Sequence, residues 1–387
     1  MTVSYWRQNN RLGTILCDCL VIGAGICGVS AALHMQRRGL KVIIVDKSLV
    51  GSGASIRNAG YLMRGCADNY AAAINEFGRD RTRALWKLTE DNLAGLRREG
   101  IESLPSVRNV PSILAAMRED ECEQLRQSIS LMKEDGFAVA WEDAHSNRND
   151  TLWQVAKPLG ALINPNDAAC NSREVIEFLR SKLTCAIHEN QEVTSIRADG
   201  DWIESRISDG TIRSKHVLVC TNAYAPLLLP GLANHITPRR GQMLAIRPQA
   251  NRTLGGSYYI NFGSEYIRQH ADNTIVVGGC RTYHAEREVG YEDITTPWVQ
   301  RDLERFAKSM VGDFAKTDII ARWSGVMGFS KTHLPLIGPA WGPNSAESKV
   351  WFCGGFTGHG MSMAYKVSEM AVGSMVEGVK NEFEIHP

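Results

Sequence analysis

A glycine pattern at the seam of a strand and a helix constrains this chain more than any other feature. An apolar run, 18–23, leads into Gly23-Ala24-Gly25-Ile26-Cys27-Gly28, which opens a helix-forming stretch, 26–38, closed by Gly39. A second apolar run, 41–46 (KVIIVD), follows at once. Two buried strands joined through one helix run parallel, with a right-handed crossover. The three glycines have separate roles. Gly23 permits the tight turn, Gly25 lets backbone approach a pyrophosphate, and Gly28 lets the helix pack on the strand. The helix start offers free N–H groups and the positive end of its dipole to the phosphates. Asp46 closes the second strand, where an acid accepts ribose hydroxyls and repels a 2′-phosphate. The pattern predicts a dinucleotide site of the NAD or FAD kind rather than the NADP kind.

The remainder reads as mixed structure. Helices are expected over 70–99, 118–134, 172–183, 298–311 and about 360–378, and strands over 107–116, 137–142 and 349–353. Residues 51–60 and 162–171 read as loops. Short alternating strands recur over 189–219, with turns at Asp199-Gly200 and Asp209-Gly210, and a hairpin over 264–283 bends about Asp272-Asn273. The class expected is α/β (α+β overall). A Rossmann-like nucleotide domain is built from separated segments (1–95, 160–235 and 318–387), and a mainly antiparallel-sheet substrate domain from 96–159 and 236–317.

Composition excludes several functions. Apolar residues make up 44% and charged residues 22%, so disorder is not expected, and a net charge of +1 gives no reason to expect nucleic acid or a charged membrane surface. The ten cysteines contain no C-x-x-C pair, which argues against a zinc site and for buried thiols in a reducing compartment. The first sixteen residues carry Arg7 and Arg11 but no apolar core, so no signal peptide is expected. The apolar stretch 15–35 is broken by Asp18, glycines and His34, so no membrane span is expected. A cytoplasmic location follows as the expectation.

NAD and FAD share the fingerprint, so other segments decide between them. Gly51-Ser52-Gly53-Ala54-Ser55-Ile56-Arg57-Asn58-Ala59-Gly60 comes first, after an opening Ser4-Tyr5-Trp6. Then come Cys220-Thr221-Asn222-Ala223-Tyr224, Pro238-Arg239-Arg240-Gly241-Gln242, Trp323-Ser324-Gly325-Val326-Met327-Gly328 and Gly354-Gly355-Phe356-Thr357-Gly358-His359-Gly360. In these motifs, ordered along nearly the whole chain, the protein resembles the D-amino-acid oxidase superfamily of flavoproteins. Its gamma-glutamylputrescine-oxidase-like members, whose loop reads GASGRNGG, and its glycine-oxidase-like members are the most similar.

The resemblance implies an enzyme that oxidises the C–N bond of a small amine, N-alkyl amino acid or amino acid by hydride transfer to flavin N5. Molecular oxygen or another acceptor takes the electrons. It implies that FAD is held by Gly23, Ala24, Gly25, Ile26, Cys27, Gly28, Asp46 and Lys47, and by Gly53, Ala54, Ser55, Arg57, Asn58, Ala59 and Gly60. It extends the site to Val193 (through its backbone, at the adenine), Thr221, Asn222, Ala223, Gly355, Thr357, Gly358, His359, Gly360 and Met361. Physically, the second glycine turn opens a second helix, whose N–H groups can stabilise negative charge on the flavin N1–C2=O edge. His359 caps that helix or touches the flavin. A two-domain fold places the flavin ring at the domain interface.

Departures from the family shape the expected chemistry. Glycine-oxidase-like members carry an arginine that clamps a substrate carboxylate where this chain has Met327. The covalent cysteine of sarcosine-oxidase-like members is replaced by Gly325-Val326, and the histidyl attachment site of related dehydrogenases falls near Arg57, so FAD is expected to be non-covalent. The oxygen-activating lysine is absent near Val276, which leaves oxidase and dehydrogenase both open. Tyr266 and Arg268 are expected on one face of their strand, with Ile267 on the other. Together with Arg64 and Arg281 they are the candidates for the substrate end. Two alternatives stand beside the amine reading: a flavin-binding assembly factor that has lost catalysis, and a flavoenzyme that oxidises 2-hydroxy acids.

Overall fold

The computed structural model describes residues 12–144, 149–340, 349–381 and 383. Ser4-Tyr5-Trp6, Arg7 and Arg11 lie outside the described residues. The chain divides into two compact units, 1–55 with 176–239 and 327–387, and 56–175 with 240–326.

The first unit is built on a sheet with the strand order Leu336–Pro339, Val350–Gly354, Gly210–Val219, Leu12–Ile22, Val42–Val45 and Ala186–His188. From Val350–Gly354 onward neighbouring strands are parallel, and Leu336–Pro339 closes the edge antiparallel. Ile22 pairs with Val45 on one side and Val219 on the other, which brings the carboxyl ends of the central strands level. Ligands of open α/β sheets bind at that edge. The hairpins at Asp199-Gly200 and Asp209-Gly210 form as expected, linking Ser195–Asp199, Trp202–Ile207 and Gly210–Val219. The first helix, Ile26–Arg37, is buried from Ile26 through Met35. Small residues make that possible, because Ala31, Ala32 and Ser30 let the helix lie close to the sheet and to the last helix, Gly360–Glu377. Gly39, at φ +75°, ends it in the left-handed conformation that only glycine adopts without strain.

The second unit carries a sheet with the order Ile319–Ser330, Ile236–Ile246, Ile275–Gly279, Glu265–Gln269, Ser257–Ile260, Ser112–Ala116, Gly160–Asn164 and Ala140–Asp143. From Ile236–Ile246 onward neighbouring strands pair antiparallel, except Ser257–Ile260 with Ser112–Ala116. Period-two alternation sorts its side chains. Ile113, Leu244, Tyr258, Ile267 and Val277 point into a core shared with Val299, Leu303, Phe306 and Met310 of the helix Pro297–Val311. Tyr266, Met243, Ala245 and Val276 point the other way, into a second cluster with Tyr61, Tyr259 and Trp323.

Four sequence expectations need correction. The helix expected over 70–99 is two, Tyr70–Phe77 and Arg79–Glu99, broken at Gly78, whose φ of +82° and ψ of 157° no helix accommodates. The strand expected over 107–116 begins only at Ser112, because Pro111 has no N–H to donate. The loop expected over 162–171 contains the strands Gly160–Asn164 and Ala168–Ala169. The first is stitched between Ser112–Ala116 and Ala140–Asp143, a long-range pairing that its short apolar run does not announce. Finally, residues 56–95, 160–175 and 318–326 belong to the second unit and 236–239 to the first. The helices Tyr70–Phe77 and Arg79–Glu99 pack on each other, and the former on Glu119–Glu134, while the strand Gly160–Asn164 is part of the second sheet.

Candidate functional site

In the first unit the glycine turn sits at the carboxyl end of the central strand. Gly23 has φ +103°, and a Cβ there would lie 2.9 Å from the Cys220 carbonyl oxygen. A Cβ on Gly28 would collide with the Gly23 carbonyl, so the third glycine is what allows the helix to start against its own strand. At Gly25 the crowding atom is the hydroxyl of Ser55, 2.8 Å from where a Cβ would be. That hydroxyl accepts from the Ile26 N–H at 3.0 Å, so Ser55 satisfies one of the free amides at the helix start.

Asp46 holds the turn from the neighbouring strand. Its Oδ2 accepts from Ala24 N–H at 2.7 Å and its Oδ1 from Ser48 N–H at 2.8 Å. Burial pushes its carboxyl above the ordinary value, and the two amides pull it back. Lys47 is drawn onto the Tyr224 ring, 3.9 Å from its centroid, and Val193 is buried in the core below the sheet. Gly53 has open space around it, and Ala54–Ile56 forms a short 3-10 turn.

The second glycine turn is held in the same unit. Gly355 (φ +70°), Thr357 (φ +48°) and Gly358 (φ +89°) take left-handed conformations. The Gly355 N–H donates to Asn222 Oδ1 at 2.9 Å, and the Thr357 N–H to the Gly328 carbonyl at 3.0 Å. Asn222 itself stands at φ +46° between Thr221 and the buried Ala223. His359 is the N-cap residue of the last helix, ahead of Gly360 and the buried Met361, yet its side chain makes no cap bond. Its Nδ1 lies 3.1 Å from the Thr357 carbonyl, while Nε2 is buried without a partner. Burial lowers its pKa and keeps the ring neutral. Thr221 Oγ1 is likewise buried and unpaired. Two orphaned polar atoms beside two helix starts fit a polar, anionic group that the chain itself does not supply. Met327 stands beside this turn, its sulfur 3.7 Å from where a Cβ on Gly358 would be.

In the second unit the rest of the segment 51–60 is pinned. Asn58 Oδ1 accepts from Gly60 N–H at 2.7 Å and from the Ser172 hydroxyl at 2.6 Å. Gly60, at φ +72°, is packed against the Cys170 carbonyl with no room for a side chain. Arg57 pairs with Asp293 at 2.7 Å and donates to the Ser324 carbonyl at 3.1 Å. Arg268 is 3% exposed and donates to the carbonyls of Ala59 and Cys170. Arg64, also 3% exposed, pairs with Glu90 at 2.9 Å and donates to the Ala138 carbonyl at 2.7 Å. Its backbone N–H donates to Asp167, whose carboxyl burial pushes up to about 6. Arg268 is therefore committed to internal partners, and Arg64 is committed through its terminal nitrogens while its Nε is buried without a partner. Arg281 begins the turn Arg281–His284, and its charge acts on the Tyr266 phenol, which burial pushes up to about 12.

The feature that sequence reading missed is the aromatic set around Tyr266. The rings of Tyr61, Tyr259 and Tyr266 lie 5.2, 5.8 and 5.7 Å apart, and the Tyr266 hydroxyl donates to Met243 Sδ at 3.3 Å. The register Tyr259↔Tyr266 was available from the turn at Phe262-Gly263, but Tyr61 reaches the set only through tertiary folding. Among the described residues no group of three or more side chains is arranged to hold a metal, and no helix is long and apolar enough to cross a membrane.

Residues 18–372 match the family described as DAO, FAD dependent oxidoreductase. The chain is 22% identical to the gamma-glutamylputrescine oxidoreductase of Escherichia coli (strain K12), covering 96% of this chain and 86% of that protein. It is also 22% identical to the glycine oxidase of Geobacillus kaustophilus (strain HTA426), covering 96% and 95%. The crystal structure of L-proline dehydrogenase from P. horikoshii superposes with a TM-score of 0.78 at 19% identity, over 96% of both chains.

Proposed function

The chain belongs to the DAO family of FAD-dependent oxidoreductases, and from that premise we propose that it oxidises the C–N bond of a small amine or N-alkyl amino acid, with FAD held non-covalently. Bound FAD supplies the hydride acceptor, and the protein's part is to bind and orient. The N–H groups of the first helix take the pyrophosphate, and the carboxylate of Asp46 has lone pairs left for ribose hydroxyls. His359 Nε2 and Thr221 Oγ1 find their missing partners on the cofactor. The enzyme works in the cytoplasm, and its electron acceptor is O2 or another oxidant.

One observation carries the substrate class: the charged groups that would anchor an alpha-carboxylate are either absent or already used. Met327 stands where the family's clamp would be, and Arg64 and Arg268 are buried on internal partners. The tyrosine set presents ring faces and edges instead, which suit the alkyl chain or ammonium of an amine. Arg281, next to Tyr266, is the candidate for a carboxylate remote from the reacting nitrogen. A charge-assisted hydrogen bond contributes about 1.5–3 kcal/mol, so its loss disfavours simple alpha-amino acids by roughly ten- to a hundred-fold. A 2-hydroxy acid needs the same clamp and is disfavoured equally.

The test is anaerobic flavin reduction by glycine, D-alanine, sarcosine, putrescine and gamma-glutamyl-amines, followed by rapid mixing. Amines and N-alkyl compounds should bleach the flavin fastest. Fastest reduction by glycine or D-alanine would sink the substrate reading. Trichloroacetic acid should release the flavin into the supernatant, and colour left in the pellet would refute non-covalent binding alone.

A further inference from the structure

Three thiols meet under the first glycine turn. Cys27 sits in the first turn of the helix Ile26–Arg37, Cys220 follows the strand Gly210–Val219, and Cys353 lies in Val350–Gly354. Val219 pairs with Phe352, so Cys220 and Cys353 are one step further along two adjacent parallel strands. Cys27 Sγ lies 3.4 Å from Cys353 Sγ and 3.6 Å from Cys220 Sγ. All three are free and buried.

Helix start and neighbours both favour the thiolate at Cys27. The free N–H groups and dipole of the helix stabilise negative charge in its first turn. The sulfur contacts with Cys220 and Cys353 draw the Cys27 pKa below the ordinary value against the opposing effect of burial, while burial pushes the Cys220 thiol up and the contact with Cys27, with burial, pushes up that of Cys353. The cluster thus brings three sulfurs into contact at a helix start, and Cys27 is the one whose surroundings favour the thiolate. No metal-holding arrangement is present among the described residues, so redox chemistry of sulfur is the reading the geometry favours.

We infer that Cys27 is a peroxide-oxidisable residue and that Cys353 resolves it into a disulfide, distorting the dinucleotide turn. In the first step the Cys27 thiolate attacks one oxygen of hydrogen peroxide and the O–O bond breaks. Sulfur loses two electrons to give the sulfenic acid, and the other peroxide oxygen leaves as hydroxide. In the second step the Cys353 thiol attacks the Cys27 sulfur, forming S–S and releasing water. Hydrogen peroxide is small enough to reach a buried site through local opening. A disulfide requires the sulfurs to close to ~2.05 Å. Cys27 adjoins Gly28, which already abuts the Gly23 carbonyl, so the turn has no slack to absorb that movement.

This inference goes beyond the amine-oxidising reading and is tested without any substrate. The FAD-loaded protein is treated with hydrogen peroxide, denatured and titrated for thiols, with peptide mapping under non-reducing conditions. The expected result is loss of two of the ten thiols, a Cys27–Cys353 linked peptide, and release of flavin that dithiothreitol reverses. Cys353→Ser should stop at a sulfenic acid on Cys27 that dimedone traps. Cys27→Ser should keep its nine remaining thiols under the same peroxide treatment. Retention of all ten thiols, a link that omits Cys27 or Cys353, or equal thiol loss in Cys27→Ser would overturn the inference.

Discussion

At Gly23–Gly28 the turn is packed backbone against backbone, whereas the tyrosine face of the second unit is built of side chains. The first region tolerates almost no chemical change, because the Cys220 carbonyl occupies the space of a Cβ at Gly23 and the turn's own Gly23 carbonyl that of a Cβ at Gly28. The second is a layer of rings on an ordinary sheet, where neighbouring side chains can repack. The difference teaches where specificity can vary in this protein. A phosphate cradle made of amides is sensitive to any added atom, while a wall of rings can be retuned by one substitution.

The largest effect is expected at Gly25→Val. The added carbons meet Ser55 Oγ and occupy the space through which a pyrophosphate approaches the helix start. FAD affinity should fall on the order of a thousandfold, or about 4 kcal/mol, with far-UV circular dichroism little changed. Equilibrium dialysis against FAD reads the effect, and wild-type affinity would show that backbone approach at Gly25 is not needed.

Arg64→Met comes next and asks whether the second unit's arginines are structural. The substitution strips the Ala138 carbonyl of its donor and leaves the half-buried Glu90 with Lys87 alone. Losing the hydrogen bonds of a buried guanidinium should cost about 2–3 kcal/mol in denaturant unfolding. The ranking of acids against amines in flavin reduction should stay as in the wild type. A selective loss of carboxylate substrates would instead place Arg64 at the substrate end.

Asp167 gives a pH signature to the same cluster. Its carboxyl is raised from 3.8 to about 6 by burial, so the folded state holds the proton more tightly than the unfolded chain. Its stabilising contribution is therefore present below about pH 4 and is lost as pH rises through 6, a change of ~2–3 kcal/mol. Asp167→Asn should flatten that part of the stability–pH curve. An unchanged slope would mean that Asp167 titrates normally.

The smallest effect is expected for Tyr266→Phe. It removes one hydrogen bond, to Met243 Sδ, and should shift stability by no more than about 1 kcal/mol. Because burial holds the Tyr266 phenol near 12, it stays protonated through the working range, and the alkaline limb of kcat/KM should not move. A displaced limb would make the Tyr266 proton part of the reaction.

The nucleotide half was legible because its signals are local. Gly23, Gly25 and Gly28 are close in the chain, and strand, turn and helix follow one another with no long-range partner needed. The alternation of Tyr266, Ile267 and Arg268 was legible for the same reason, since strand geometry alone puts Tyr266 and Arg268 on one face. What Arg268 does there was not legible. Its partners, Ala59 and Cys170, are distant in sequence, and only the fold shows that its donors are taken.

The sequence by itself thus determined a dinucleotide-type turn, the first parallel strands and the backbone conformations that glycine alone adopts, because these follow from sterics within a few residues. Only the tertiary structure decided that Gly78 splits a helix, that residues 56–95 join the second unit, that Arg64 and Arg268 are buried on internal partners, and that Cys27, Cys220 and Cys353 touch. The physical reason is the same in each case. A side chain's availability depends on which distant groups satisfy its hydrogen-bonding and packing capacity, and that pairing exists only once the chain has closed on itself.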